Sequence, residues 1–179
     1  EQMVQAVRQR VGRYLDDGKM VVVIGGEHSV SIGSIYAHAE KFPHLSVLQL
    51  DAHADMRETY HDSPFNHACV MKRAKACCPV VQVGIRSVCV EEREELDPYS
   101  TVYAHQLHVD NHWMERAASR LTDQVYLTID LDAFDPSLLP STGTPMPDGM
   151  NWRQVLQLID YVNERKQIVG FDVVELCPN

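Results

Sequence analysis

Six short apolar runs recur along the chain: MVVVIGG (20–26), LSVLQL (45–50), VVQVGI (80–85), TVYA (101–104), QVYLTIDL (124–131) and QIVGFDVVE (167–175). They are rich in β-branched residues and nearly continuous in apolar character, which predicts strands covered on both faces. Between them the apolar residues fall at helical spacing. Val4, Val7, Val11 and Leu15 predict a first helix; Ile32, Ile35, Tyr36 and Ala39 predict a second between Ser29 and Phe42. Residues 113–121 read as a helix, and the polar stretch from Glu91 to Leu96 is helix-like. WRQVLQLIDYVNERK (152–166) is amphipathic, with Trp152, Val155, Leu156, Ile159 and Val162 on its apolar side. DPSLLPSTGTPMPDG (135–149), rich in proline and glycine, must be a loop. Strands alternating with helices specify an α/β fold: a three-layer α/β/α arrangement around a mostly parallel sheet. No repeat or linker divides the chain, so a single domain over 1–179 is expected.

Ligands of such sheets gather beyond the carboxyl ends of the strands. That is where this sequence places its acidic clusters. The first run delivers Glu27 and His28 after Gly25 and Gly26, glycines that suit a tight turn. LSVLQL runs into Asp51, His53 and Asp55, which at extended spacing point the same way, and QVYLTIDL delivers Asp130 and Asp132. Carboxylates taken out of water are costly unless paired, hydrogen-bonded or bound to a metal. Four aspartates balance the charge of two divalent cations, and a set this size can hold two ions with carboxylates bridging them. Carboxylate and imidazole without thiolate favour Mn²⁺, with Fe²⁺, Co²⁺ or Zn²⁺ as substitutes. Any one cluster alone reads more simply as a solvated turn or a capped strand end. Three of them at strand ends point to a common partner.

A net charge of −9 disfavours nucleic acid as a partner and mildly favours cationic ligands. No apolar run approaches the roughly 18 residues that span a bilayer, and no secretory signal opens the sequence, so no membrane partner is expected. Five cysteines (69, 77, 78, 89 and 177) show no zinc-type spacing and read as reduced thiols of a cytoplasmic protein. Cys69 lies two residues from His67, so a Cys–His nucleophile is a minor alternative. His105, His108 and His112 mimic metal spacing in a polar stretch and read as solvated.

GGEHS (25–29), DAHAD (51–55) and IDLDAFDPSLLPSTGTP (129–145) resemble the signatures of the ureohydrolase family, which contains arginase and agmatinase. FDVVELCP (171–178) resembles its final strand motif, so the resemblance spans nearly the whole chain. It implies an arginase-like fold and two manganese ions per chain, which hydrolyse a guanidinium group to urea. By motif position, His28, Asp51, Asp55 and Asp130 would hold one ion, and His53, Asp51, Asp130 and Asp132 the other, with Asp51 and Asp130 bridging. The resemblance also makes Asp55 an acceptor for the activated water, His67 the proton shuttle and Glu175 the carboxylate that binds the guanidinium. Without it, His67 is an ordinary loop residue and Glu175 a strand-end carboxylate paired with an arginine.

Phe65 and Asn66 before His67, and VGIRS (83–87), resemble the agmatinase branch, whose small cationic guanidino substrate, agmatine, yields putrescine and urea. Met146 and Asp148 depart from that branch, which keeps arginase or guanidinobutyrase chemistry as alternatives. A zinc deacetylase-like amidohydrolase is a remoter one, opposed by the complete second ligand set and by Glu175. The resemblance further implies a homo-oligomer, a trimer or hexamer. Family members are longer, with two strands before the GGEHS strand and a helix after FDVVE. The expectation is therefore a truncated copy, in which the strands bearing His28, Glu175, Asp130 and Asp51 stay contiguous and an apolar edge is exposed.

Overall fold

In the computed structural model, which describes residues 1–178, the apolar runs form strands β1 (Val21–Ile24), β2 (Leu45–Leu50), β3 (Val80–Ile85), β4 (Thr101–Tyr103), β5 (Gln124–Asp130) and β6 (Gln167–Val174). Among the described residues these make one sheet in the order β1-β6-β5-β2-β3-β4, and every pairing is parallel. Parallel strands need long crossovers, and helices supply most of them: α1 (Gln2–Asp16), α2 (Val30–Lys41), α3 (Val70–Lys75), α4 (Trp113–Ser119) and α5 (Trp152–Asn163).

Alternate residues of each strand serve opposite faces. On β2, Leu45 and Val47 pack with Ile32 and Ile35 of α2 and with Val70 and Met71 of α3. Leu48 and Leu50 pack instead with Ala117 of α4 and Val155, Leu158 and Val162 of α5. The result is three layers, with α1, α2 and α3 on one side and α4 and α5 on the other. All six residues of β2 are buried, the polar Ser46 and Gln49 included, as its nearly continuous apolar sequence leads one to expect. Helix α1 rides on α2 at Gly33, where a Cβ would collide with the Val4 carbonyl oxygen. A larger residue there would push the two helices apart. Helix α5 starts with a reciprocal cap: Asn151 accepts from the Gln154 N–H, and Gln154 accepts from the Asn151 N–H, both at 2.9 Å. Such a cap stabilises a helix by about 1 kcal/mol.

Several expectations change. Glu91–Leu96 is a series of turns, because Glu92 folds back to accept the N–H groups of Met56 and Cys89. Helix α3 was not visible in the sequence. The α5 stripe is rotated: Leu158 is buried, while Trp152 is 60% exposed and stacks on Phe134 at 5.4 Å. Gly25 does not adopt a left-handed turn; a Cβ there would meet Val30 Cγ2 at 2.6 Å, so close packing explains it. At the sheet edge, β1 leaves Ile24 78% exposed. No helix among the described residues is long and apolar enough to cross a membrane.

Candidate metal centre

Strands β1, β6, β5 and β2 are neighbours, so their carboxyl ends open onto one place. β1 leads to His28, which packs at the start of α2; β5 ends on Asp130 itself; β6 leads to Glu175. Beyond β2 the chain leaves the extended form. Asp55 has a φ of 53°, and Glu175 has 65°. Left-handed backbone is uncommon for non-glycine residues and clusters at functional sites.

His28 and its neighbours form the first set. Its Nδ1 lies 2.9 Å from Asp55 Oδ2, 3.3 Å from Asp51 Oδ2 and 3.5 Å from Asp130 Oδ2. None of these oxygens is in line for a hydrogen bond, so a fully buried ring nitrogen points into the space between three carboxylates. The second set surrounds His53, whose Nδ1 lies 2.9 Å from Asp132 Oδ2 and 3.6 Å from Asp51 Oδ1. Asp51 belongs to both sets, one oxygen to each. Backbone N–H groups hold the carboxylates: His53 donates to Asp51 Oδ1 at 2.6 Å, Ala52 to Asp132 Oδ1 at 3.0 Å, and Asp132 to Asp130 Oδ1 at 2.9 Å. Gln49 Nε2 donates to Asp51 Oδ2 at 2.7 Å, and Thr144 Oγ1 to Asp132 Oδ2 at 3.2 Å.

The electrostatics describe a site short of positive charge. Burial, and then the charge of Asp51, push the Asp55 carboxyl up to about 7. Burial followed by Asp51 and Asp132 pushes Asp130 well above the usual carboxylate range. Burial alone disfavours charged imidazoles here. Asp51 and Asp55 outweigh it and raise His28 well above its ordinary value; Asp132 and Asp51 raise His53 to about 11. Burial lifts Asp51 too, but the two histidines overcome this and hold it below the usual range. Protons on two histidines thus stand where divalent cations fit, and the donors are the carboxylate and imidazole set that suits Mn²⁺, Fe²⁺, Co²⁺ or Zn²⁺.

An open cavity of about 470 Å³ adjoins the centre and is lined by His28, His53, Asp55, Asp130, His67 and Glu175. The structure therefore brings to one cavity or its floor every residue expected there: His28, Asp51, His53, Asp55, His67, Asp130, Asp132 and Glu175. Glu175 Oε1 accepts the His28 N–H at 2.6 Å, so it pairs with no arginine. His67 Nδ1 lies 3.1 Å from Glu27 Oε1, and the ring meets Tyr60 edge-on at 5.5 Å. Cys69 is buried with its thiol 3.7 Å from the Ser63 carbonyl, and burial pushes its pKa up. That describes an inert thiol, not the nucleophile of a Cys–His pair. His105 is exposed, and so are His108, beside Asp148, and His112, beside Glu115. Sequence reasoning left Glu27 without a role and missed Gln49, Arg86, Thr128 and Thr144. Only the alternation of β5, which puts Thr128 two residues before Asp130, offered a signal for one of them.

The arginase family, described by that name, matches the sequence across residues 1–179. The chain belongs to the arginase family. It is 38% identical over 186 residues to the N(1)-aminopropylagmatine ureohydrolase of Synechocystis sp., covering 98% of this chain and 59% of that protein. It is also 38% identical to the enzyme of the same name from Thermus thermophilus, covering 100% of this chain and 62% of the other. Among solved structures, the agmatine ureohydrolase of Thermoplasma volcanium superposes with a TM-score of 0.87 at 32% identity, over 99% of this chain and 61% of that one. The chain thus spans about three fifths of the length of these relatives. Family membership agrees with the parallel sheet, the three layers and the clusters of aspartate and histidine at the strand ends.

Proposed function

We propose that this centre belongs to a ureohydrolase that hydrolyses the guanidinium group of agmatine, giving urea and putrescine, with two Mn²⁺ per chain. One observation carries the proposal: Asp51 turns one oxygen to the His28 set and the other to the His53 set. When bound, a pair of divalent cations would acidify water and supply a nucleophile near neutral pH. His28, Asp51, Asp55 and Asp130 would hold one ion, and His53, Asp51, Asp130 and Asp132 the other.

The chain's own side chains do the rest. Asp55, fixed beside His28 by an unusual backbone conformation, would accept a hydrogen bond from the attacking water. Glu175 receives the guanidinium; planar guanidinium groups pair well with carboxylates. His67 stands half-exposed at the cavity and gives its proton to the leaving amine, the task for which imidazole is suited. Glu27 fixes the ring that does so.

An acidic cavity and the relatives' names together favour a guanidino amine. The two relatives named for N(1)-aminopropylagmatine support a second reading, in which the substrate carries an aminopropyl extension. Arg57 also lines the cavity, stacked on Tyr60 at 4.9 Å, and gives a guanidino acid a partner. The test is urea release from agmatine, N(1)-aminopropylagmatine, arginine and 4-guanidinobutyrate. Preference for agmatine is expected. Faster turnover of the aminopropyl compound selects the second reading, and faster turnover of arginine overturns both. A homo-oligomer in the cytoplasm completes the proposal, five free cysteines suiting a reducing compartment.

A further inference from the structure

Behind the centre, on the side away from the cavity, lies a buried chain of polar side chains. His28 Nε2 is 2.9 Å from Thr128 Oγ1, and Thr128 Oγ1 is 2.6 Å from Asp172 Oδ1. The Tyr126 hydroxyl is 2.7 Å from Asp172 Oδ2 and 2.8 Å from Ser34 Oγ. Thr128 and Asp172 are register partners on β5 and β6, and all five residues are at most 1% exposed.

A carboxylate in the middle of a sheet is a poor choice for stability alone; an apolar residue of like volume would avoid the cost of burying it. Its position does something specific to His28. The threonine hydroxyl has one proton, and the carboxylate 2.6 Å away can only accept it. The remaining lone pair of Thr128 must then accept from His28 Nε2, which is therefore the protonated nitrogen. Nδ1 is then the nitrogen that faces Asp51, Asp55 and Asp130, and its lone pair becomes available once a cation displaces the proton held there.

We propose that Thr128 and Asp172 are positioning residues, which fix the tautomer and ring orientation of His28 so that Nδ1 serves as a metal donor. This rests on the metal-centre reading above. Partners of this kind are worth about 10- to 100-fold in metal affinity where a ligand histidine depends on them.

The experiment compares the parent chain with Thr128→Val and Thr128→Ser. Valine copies the shape and removes the hydroxyl; serine restores it. Binding of Mn²⁺ alone is followed by equilibrium dialysis with metal analysis, and folding by thermal melting. The His28 Nε2–H is followed by ¹⁵N NMR with labelled histidine, in metal-free protein and with diamagnetic Zn²⁺.

The expected result is a protected Nε2–H in the parent and in Thr128→Ser, lost in Thr128→Val. Mn²⁺ affinity should fall about 10- to 100-fold in the valine variant and recover in the serine variant. Two results overturn the proposal: Thr128→Val binding Mn²⁺ as tightly as the parent, or Thr128→Ser failing alongside it, which would mean packing alone. A parent chain with no protected Nε2–H also overturns it. If the parent shows the protected N–H but takes up no Mn²⁺, the metal-centre reading fails and the tautomer assignment stands.

Discussion

His67 Nδ1 lies 3.1 Å from Glu27 Oε1, and the other oxygen of Glu27 is taken by the Ser29 hydroxyl at 2.5 Å. Glu27, the residue before His28, thus reaches across to orient a histidine forty positions away. If His67 moves a proton and holds no metal, His67→Ala should retain its Mn²⁺ and most substrate affinity while kcat falls by about 10²–10⁴. Glu27→Gln should cause a smaller loss, also in kcat. The double variant should be no worse than His67→Ala alone, because residues acting as a unit are not additive. Steady-state kinetics with metal analysis tests this. Metal lost on removing His67 would make it a ligand instead.

Metal stoichiometry separates the two ligand sets. Asp51 serves both, so Asp51→Ala should lose both ions. Of the two histidines Asp132 meets His53 alone, so Asp132→Ala should retain the ion of the His28 set. Elemental analysis after dialysis distinguishes the variants. A parent chain carrying one tightly held zinc would count against a two-manganese centre.

How much of this was legible follows from where each signal sits. Strands β2 and β3 match their apolar runs residue for residue, because a strand buried on both faces writes most of its length in Val, Leu and Ile. The candidate ligand positions stood out for a related reason: a carboxylate abutting such a run sits at the edge of the core and needs a compensating charge. Helix α3 was not, since its start is set from afar. The N–H groups of Met71 and Lys72 both donate to the Asp55 carbonyl, at 3.0 and 3.1 Å. No local pattern in SPFNHACVMKR records that acceptor. The left-handed turns at Asp55 and Glu175 were equally hidden, because aspartate and glutamate do not advertise positive φ as glycine does. Thr128 and Asp172 read as strand residues until their register placed them opposite each other.

Arg86, in VGIRS, donates through its guanidinium to the carbonyls of Gly84, Asp132, Phe134, Met146 and Pro147. Its backbone N–H and that of Ser87 donate to the Ala52 carbonyl, both at 2.9 Å. One side chain therefore joins the Asp132 turn to the loop that carries Thr144. Lysine offers a single compact ammonium and cannot reproduce a planar fork. Arg86→Lys should lower stability by about 2–3 kcal/mol in urea unfolding, through carbonyls left unpaired. It should also weaken the ion of the His53 set more than that of the His28 set. Unchanged stability and metal content would show that the loop holds itself.

Metal uptake should release protons and strengthen with pH. In the metal-free chain His53 holds its proton up to about 11, against an ordinary 6.5, and Asp55 holds one up to about 7, against 3.8. Each must give it up to become a donor. The sign for folding follows from the same shifts. A group whose folded pKa exceeds its unfolded pKa takes up protons on folding, so its contribution is full below the unfolded value and lost as pH rises through the folded one. For Asp55 the loss runs from 3.8 to about 7, and for His53 from 6.5 to about 11. Asp55 thus makes the metal-free chain less stable as pH rises from acid to neutral, and His53 does so from neutral toward alkaline pH, while bound cations would replace the protons and remove the loss. The gap in Tm between Mn²⁺-loaded and metal-free protein should therefore widen between about pH 6 and 8.5, as a metal that displaces protons requires. Calorimetric titration of Mn²⁺ in buffers of different ionisation enthalpy should show net proton release near neutral pH. A gap that narrows with pH, or binding without proton release, would mean that the cations do not replace the protons on His53 and Asp55.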